Sequence, residues 1–166
     1  MEARVGGEVV WRSRSAYLAR HRDGHGRPAR AVAPDIPRAL PVSAEWRLPA
    51  HLGRRYGAVS GDRDPIHLHP LTARLFGFPR AIAHGVWTYA RCVAEAEAEA
   101  GTSGQVSSVR AKPRAPVLLP ATVTYGARTG PEGSIACQLR DGDGTRVHLT
   151  GELSPSSPAP SSAPPP

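Results

Sequence analysis

From Val42 to Leu48 apolar and polar residues alternate, the period of a strand with one buried face. Pro49 suits the first turn of a short helix running towards Val59. Ser60 to Pro70 reads as a polar loop, and a short helical stretch over Leu71 to Phe76 stops at Gly77, a C-cap. A 3.6-residue period follows His84-Gly85, with Val86, Tyr89, Ala90, Val93 and Ala94 on one face, and predicts the buried helix. After Gly101 the pattern returns to strands over 106–112, 121–128, 134–140 and 146–153, separated by turns rich in Gly and Asp. One strand, then helices, then four antiparallel strands predict an α+β domain in which a curled sheet wraps one central helix.

The flanks read differently. Glu8 to Leu18 carries a weak strand-like alternation, and Arg20 to Pro41, with Pro28, Pro34, Pro37 and Pro41, reads as a linker. Ser154 to Pro166 holds only Ser, Pro and Ala, which cannot offset the entropy of ordering, so a disordered tail is expected. The chain therefore divides into an arm and linker over 1–41, a domain over 42–153 and a tail over 154–166.

Composition narrows the class. The 166 residues fit one domain, and 17 glycines with 18 prolines exclude a coiled coil. With 3 Trp, 4 Tyr and 2 Phe, the core must rest on Ala, Val, Leu and Ile. The longest uncharged run in the body, Ala115 to Ala127, contains two prolines and is far shorter than the roughly 20 residues a membrane helix needs. The amino terminus has no apolar run of signal-peptide length, so a cytoplasmic protein is expected. Cys92 and Cys137 lack metal or redox spacing and read as reduced, structural thiols. The net charge of +7 is concentrated at the front: residues 1–55 hold eleven Arg against five acids, and 56–154 hold ten basic against nine acidic residues. No zinc-finger spacing, helix-turn-helix pattern or aromatic-studded basic strand accompanies it, so no nucleic-acid partner is expected.

Ser60-Gly61-Asp62-Arg63-Asp64-Pro65-Ile66-His67 is the most specific stretch. Pro65 disfavours helical geometry at Asp64, and a bent loop can aim Asp62 and His67 at one point. A carboxylate and an imidazole so placed hold a water and move protons near neutral pH; read by itself, the stretch fits equally a turn in which Asp62 caps a helix and His67 packs nearby. In Ile82-Ala83-His84-Gly85, a glycine opening an apolar helix leaves an N–H at the positive end of the dipole, suited to a carbonyl becoming an enolate. Taken alone it is also an ordinary glycine-containing helix start.

Together the two segments resemble the MaoC-like (R)-specific enoyl-CoA hydratase and 3-hydroxyacyl dehydratase family of hot-dog-fold proteins. That family's motif, Ser-Gly-Asp-x-Asn-Pro-x-His followed by Gly-Phe, a proline and Ile-x-His-Gly, matches Ser60 to His67, Gly77-Phe78-Pro79 and Ile82 to Gly85 in spacing throughout. The resemblance extends more weakly through Lys112-Pro113, Val117 to Pro120 and His148 to Gly151. Asp64 stands where the family has Asn, and His69 where many members have Asp. The resemblance implies a hot-dog fold and reversible syn addition of water to a trans-2-enoyl thioester carried by coenzyme A or acyl carrier protein. Asp62 takes a proton from the water, His67 holds the water and delivers a proton at C2, and the Gly85 N–H stabilises the enolate. Ser60, Ile82, His84 and Gly85 are the implied substrate-binding residues. No metal or redox cofactor is implied, a homodimer completes the pocket, and residues 1–41 look like the end of a first hot-dog unit.

Other chemistries fit less well. A zinc site from Asp62, His67 and His69 lacks a fourth ligand, and Ser60 misses the G-x-S-x-G elbow by one position. The alternative of a different class is a catalytically silent hot-dog subunit that binds acyl thioesters or a partner enzyme. In that reading, Asp64 facing the loop interior disfavours the charged form of Asp62; facing outward, it is screened and matters little.

Overall fold

The computed structural model describes residues 2–12, 37–101 and 106–155, and the chain divides into two compact units, 1–35 and 36–166. In the first, β1 (Glu2–Val5) and β2 (Glu8–Arg12) pair antiparallel. Gly6 and Gly7 connect them with φ of 58° and 89°, the left-handed backbone a two-residue hairpin turn demands. The front of the strand expected over 8–18 is thus one arm of a hairpin, over Glu8–Arg12. Residues 13–18, and most of the expected linker, lie outside the described residues.

The second unit follows the predicted order of elements: β3 (Val42–Leu48), α1 (Leu52–Ser60), α2 (Pro65–Leu68), α3 (Pro70–Leu75), α4 (Gly85–Ala100), β4 (Val106–Pro113), β5 (Ala121–Thr129), β6 (Ile135–Asp141) and β7 (Val147–Pro155). Five strands form one antiparallel sheet in the order β3-β5-β6-β7-β4. Its inner face contributes Trp46, Val123, Tyr125, Cys137, Leu139, Leu149 and Leu153 to a core closed by α4. Trp46 and Tyr125 stack at 5.5 Å between ring centroids, a contact that adds about 1 kcal/mol beyond burial. Burial pushes the Cys92 thiol up to about 12 and Cys137 to about 11, so both stay protonated packing residues. Among the described residues no helix is long and apolar enough to cross a membrane.

Four expectations are corrected. The predicted buried face of α4 is rotated: Thr88, Cys92 and Ala96 meet the sheet, Tyr89 and Val93 flank them, and Val86, Ala90 and Ala94 face outward, with Val86 65% exposed. Alanines lie all round this helix, so their periodicity does not single out a face, and small residues win the side that lies closest to the sheet. The polar loop over 60–70 contains the helical turn α2, which starts at Pro65 because proline is preset for the first helical position. The domain begins before Val42, since the Ala127 N–H donates to the Pro41 carbonyl and Gln138 Nε2 to that of Arg38 at 3.0 Å. Arg140, buried on the outer face of β6, donates to the Pro37 and Gly144 carbonyls, which satisfy its guanidinium in place of a carboxylate. At the far end β7 incorporates Ser154 and Pro155, paired with Ser108 and Val106; the remainder of the expected tail lies outside the described residues.

Candidate active site

The Ser60–His67 stretch folds by satisfying its own backbone. Gly61 ends α1 with φ of 79°, a left-handed cap open to glycine, and its N–H donates to the Gly57 carbonyl. The Ser60 hydroxyl donates to the Tyr56 carbonyl at 2.9 Å and accepts from the Asp62 N–H at 3.2 Å. Asp62 Oδ1 then accepts from the Asp64 N–H, and Asp64 Oδ1 from the Ile66 N–H, both at 3.2 Å. Asp64 is therefore the exposed N-cap of α2, a role Asn fills equally well. Ser60, expected against substrate, spends its hydroxyl inside the loop.

His67, only 9% exposed, is fixed by the second segment of the motif: its Nδ1 lies 2.9 Å from the Ile82 carbonyl. A carbonyl only accepts, so Nδ1 carries the proton, and in the neutral ring Nε2 presents a lone pair. Ile82 does this through its backbone. Its N–H donates to the Ile66 carbonyl, it bridges to Leu118, and its neighbours Ala81 and Ala83 bond Leu119 and Val117.

His84 closes the group. It is 2% exposed, its ring stacks on His67 at 3.7 Å between centroids, and its Nε2 lies 3.1 Å from the Asp62 carbonyl and 3.8 Å from Asp62 Oδ2. Nε2 is therefore the protonated nitrogen, while buried Nδ1 has no partner among the described residues. Burial holds the His84 pKa below 6.5. His84, expected against substrate, is thus buried and donates Nε2–H to the Asp62 carbonyl.

Ring nitrogens of His67 and His84 and a carboxylate oxygen of Asp62 lie within 4.8 Å of one another. The two rings are stacked, so their in-plane lone pairs run side by side and do not converge on one cation. His69, weighed as a ligand, is instead the exposed N-cap of α3, with Nδ1 accepting from the Leu71 N–H at 3.2 Å. Gly85 opens α4 directly after His84. No side chain caps this terminus, and a Cβ at Gly85 would meet nothing within 4 Å. Gly85 is exposed, and its N–H lies at the positive end of a 16-residue helix.

Two features were missed in the sequence. Gly53 and Gly57, one turn apart on α1, let that helix lie against the loop backbone: a Cβ would come 1.9 Å from the His67 carbonyl oxygen at the first and 2.6 Å from that of Asp62 at the second. The four-residue glycine spacing was the available signal. His148, buried on β7, accepts the Arg114 and Ala115 N–H groups at its carbonyl and donates Nδ1–H to the Ala115 carbonyl. It thereby anchors the segment that pairs with 81–83, and burial lowers its pKa too.

Both lowered histidines make the same pH prediction. The unfolded chain binds their protons near 6.5 whereas the folded chain resists, so stability is full above that value and falls as the pH drops below it. Urea midpoints measured at pH 7.5 and 5.5 should be lower at the acid value, and less so in His148→Gln. Equal midpoints would contradict the burial of both neutral rings.

A sheet packed on one long helix, with an Asp–His loop beside that helix's first turn, defines a hot-dog domain. The chain belongs to the MaoC-like dehydratase family: the profile of the MaoC-like domain matches residues 33–150. It is 39% identical over 149 residues to 3-hydroxyacyl-thioester dehydratase X of Mycobacterium tuberculosis, covering 88% of this chain and 51% of that protein. The crystal structure of HtdX from the same organism matches with a TM-score of 0.63 and 35% identity, over 84% of this chain and 52% of the other. The R-hydratase PhaJ1 of Pseudomonas aeruginosa, 23% identical, shares the fold with a TM-score of 0.57 over 76% of this chain and 91% of its own. The chain spans about half the length of the first of these relatives.

Proposed function

We propose that this domain catalyses the reversible addition of water to a trans-2-enoyl thioester, giving the (R)-3-hydroxyacyl thioester. The observation that carries the reading is the His67 Nδ1–Ile82 carbonyl bond, which leaves Nε2 as the base of a ring that has a nitrogen within 4.8 Å of the Asp62 carboxylate. The relatives' names supply the substrate class.

The thioester carbonyl accepts the Gly85 N–H. Water lies between Asp62 and His67. As its oxygen bonds C3, its proton passes to His67 Nε2 and the alkene pair moves onto the thioester oxygen, where the α4 terminus stabilises the enolate. The imidazolium, still bonded to Ile82, then returns the proton to C2, so one water is added and the protein ends unchanged. Asp62 accepts a hydrogen bond from the water's other O–H, which stays on oxygen as the 3-hydroxyl, and its charge stabilises the imidazolium. This exchanges the proton-taking role implied by the resemblance from Asp62 to His67, because the fixed tautomer makes His67 the ready base.

The reading takes the unit that begins before Val42 and ends with β7 as the catalytic domain, with a second copy as partner. Among the described residues β4 pairs only with β7, and this edge supports self-association, as do relatives of twice this length. Two buried free thiols suit the reducing cytoplasm. Purified protein given crotonyl-CoA should remove the enoyl absorbance, and light scattering should show twice the chain mass. No turnover with crotonyl-CoA or longer enoyl thioesters would leave the silent-subunit reading.

A further inference from the structure

His67 and His84 stack with 3.7 Å between ring centroids and 23° between planes, which leaves almost no sideways offset. Neutral aromatic pairs favour offset or edge-on contacts over such overlap, whereas a cation is drawn to the face of a neutral ring within about 6 Å. The stack therefore suits a pair in which one ring is charged and the other is not.

The surroundings decide which ring takes the charge. His84 is 2% exposed, and its Nε2–H is committed to the Asp62 carbonyl at 3.1 Å. A second proton would go to Nδ1, a buried atom with no partner among the described residues, and would create a buried donor without an acceptor. The Asp62 carboxylate lies 3.8 Å away on the side of Nε2, which already carries its hydrogen, and the exposed Asp64 carboxylate bonds the Ile66 N–H. His67, with Nδ1–H on the Ile82 carbonyl, takes its proton at Nε2. The charge therefore belongs on His67.

A third ring backs the pair. Tyr56, half-buried, packs against His84 at 4.8 Å between centroids, tilted by 59°. It shares the side of α1 on which Gly53 and Gly57 rest against the loop backbone. Its hydroxyl has no partner among the described residues, so the contact is made by the ring alone.

We propose that His84 is a positioning residue for the proton transfer: its neutral ring, backed by Tyr56, is the platform over which the His67 imidazolium forms. The inference rests on the hydration reading above and gives both residues a part in it. Phenylalanine in place of His84 would keep the face without the donor to the Asp62 carbonyl, and glutamine a donor without the face. Neutral histidine supplies both in one side chain. A contact that strengthens only when the imidazolium forms raises kcat and leaves substrate binding alone.

The test measures crotonyl-CoA hydration by the full chain and its His84→Gln, His84→Phe, Tyr56→Leu and Tyr56→Phe variants. His84→Gln should lower kcat about tenfold or more with KM near wild type. His84→Phe, which keeps the face, should lose less. Tyr56→Leu should lower kcat by about threefold, and Tyr56→Phe should match wild type, because only the ring is used. These two lie outside the Asp62 loop and test the same stack if a His84 variant fails to fold. A raised KM with unchanged kcat would make His84 a substrate contact; that result, wild-type kcat in His84→Gln, or a smaller loss in His84→Gln than in His84→Phe would overturn the proposal. Imidazole ¹⁵N NMR of the wild type needs no turnover. At neutral pH His84 should be the Nε2–H tautomer and His67 the Nδ1–H tautomer, and acidification should protonate His67 before His84. The opposite order, or a doubly protonated His84 at neutral pH, would also overturn it. A wild type inert on enoyl thioesters counts against the hydration reading instead, and the order of protonation then judges the platform by itself.

Discussion

Asp62→Asn and His67→Ala should each lower the hydration rate of an enoyl thioester about a hundredfold or more, the usual reach of a positioned acid or base. His67→Ala removes the lone pair held by the Ile82 carbonyl. Asp62→Asn keeps an acceptor for the Asp64 N–H while removing the charge that balances an imidazolium. The loss should fall on kcat more than on KM, because both groups act on the water and not on the carrier. Asp64→Asn should behave like wild type, since either side chain caps α2 from solvent. Steady-state rates for the three variants decide the assignment: wild-type turnover in both Asp62→Asn and His67→Ala would remove the pair from the chemistry, and a large change in Asp64→Asn would show that its charge reaches the site.

Gly53→Ala should destabilise the protein by about 3 kcal/mol and abolish most activity, the upper range for overpacking against atoms that cannot yield. In a free helix the same change would add about 1 kcal/mol of helix propensity. The sign reverses here because the new methyl would lie 1.9 Å from the His67 carbonyl oxygen and 2.9 Å from its carbon, both backbone atoms of the catalytic turn. Either α1 lifts away or α2 shifts and carries His67 off the Ile82 carbonyl. Gly85→Ala is the contrast: its Cβ meets nothing, so the fold should survive while a ligand approaching that N–H is obstructed. Urea midpoints and circular dichroism of both variants test the difference. A Gly53→Ala protein as stable as wild type would mean that α1 does not rest on the catalytic loop.

The sequence by itself determined the strands, the long helix and the Asp62–His67 loop. These depend on signals local in the chain: two-residue alternation, the turn glycines, and a proline that keeps Asp64 out of helical geometry. It also marked Gly85 correctly as the open first residue of α4. Only the tertiary structure decided which side of α4 is buried, since alanines occur all round it and the contact with the sheet selects Thr88, Cys92 and Ala96. The same holds for His84 and Asp64. The motif names both, but only the packing against His67 shows that the first donates to the Asp62 carbonyl, and only the direction of the loop leaves the second in solvent. The base-forming tautomer of His67 depends on a carbonyl 15 residues away, held in turn by a segment more than 30 residues further on. Such long-range hydrogen bonds have no period in the sequence, because they are fixed by where packed elements meet and not by the spacing of residues along the chain.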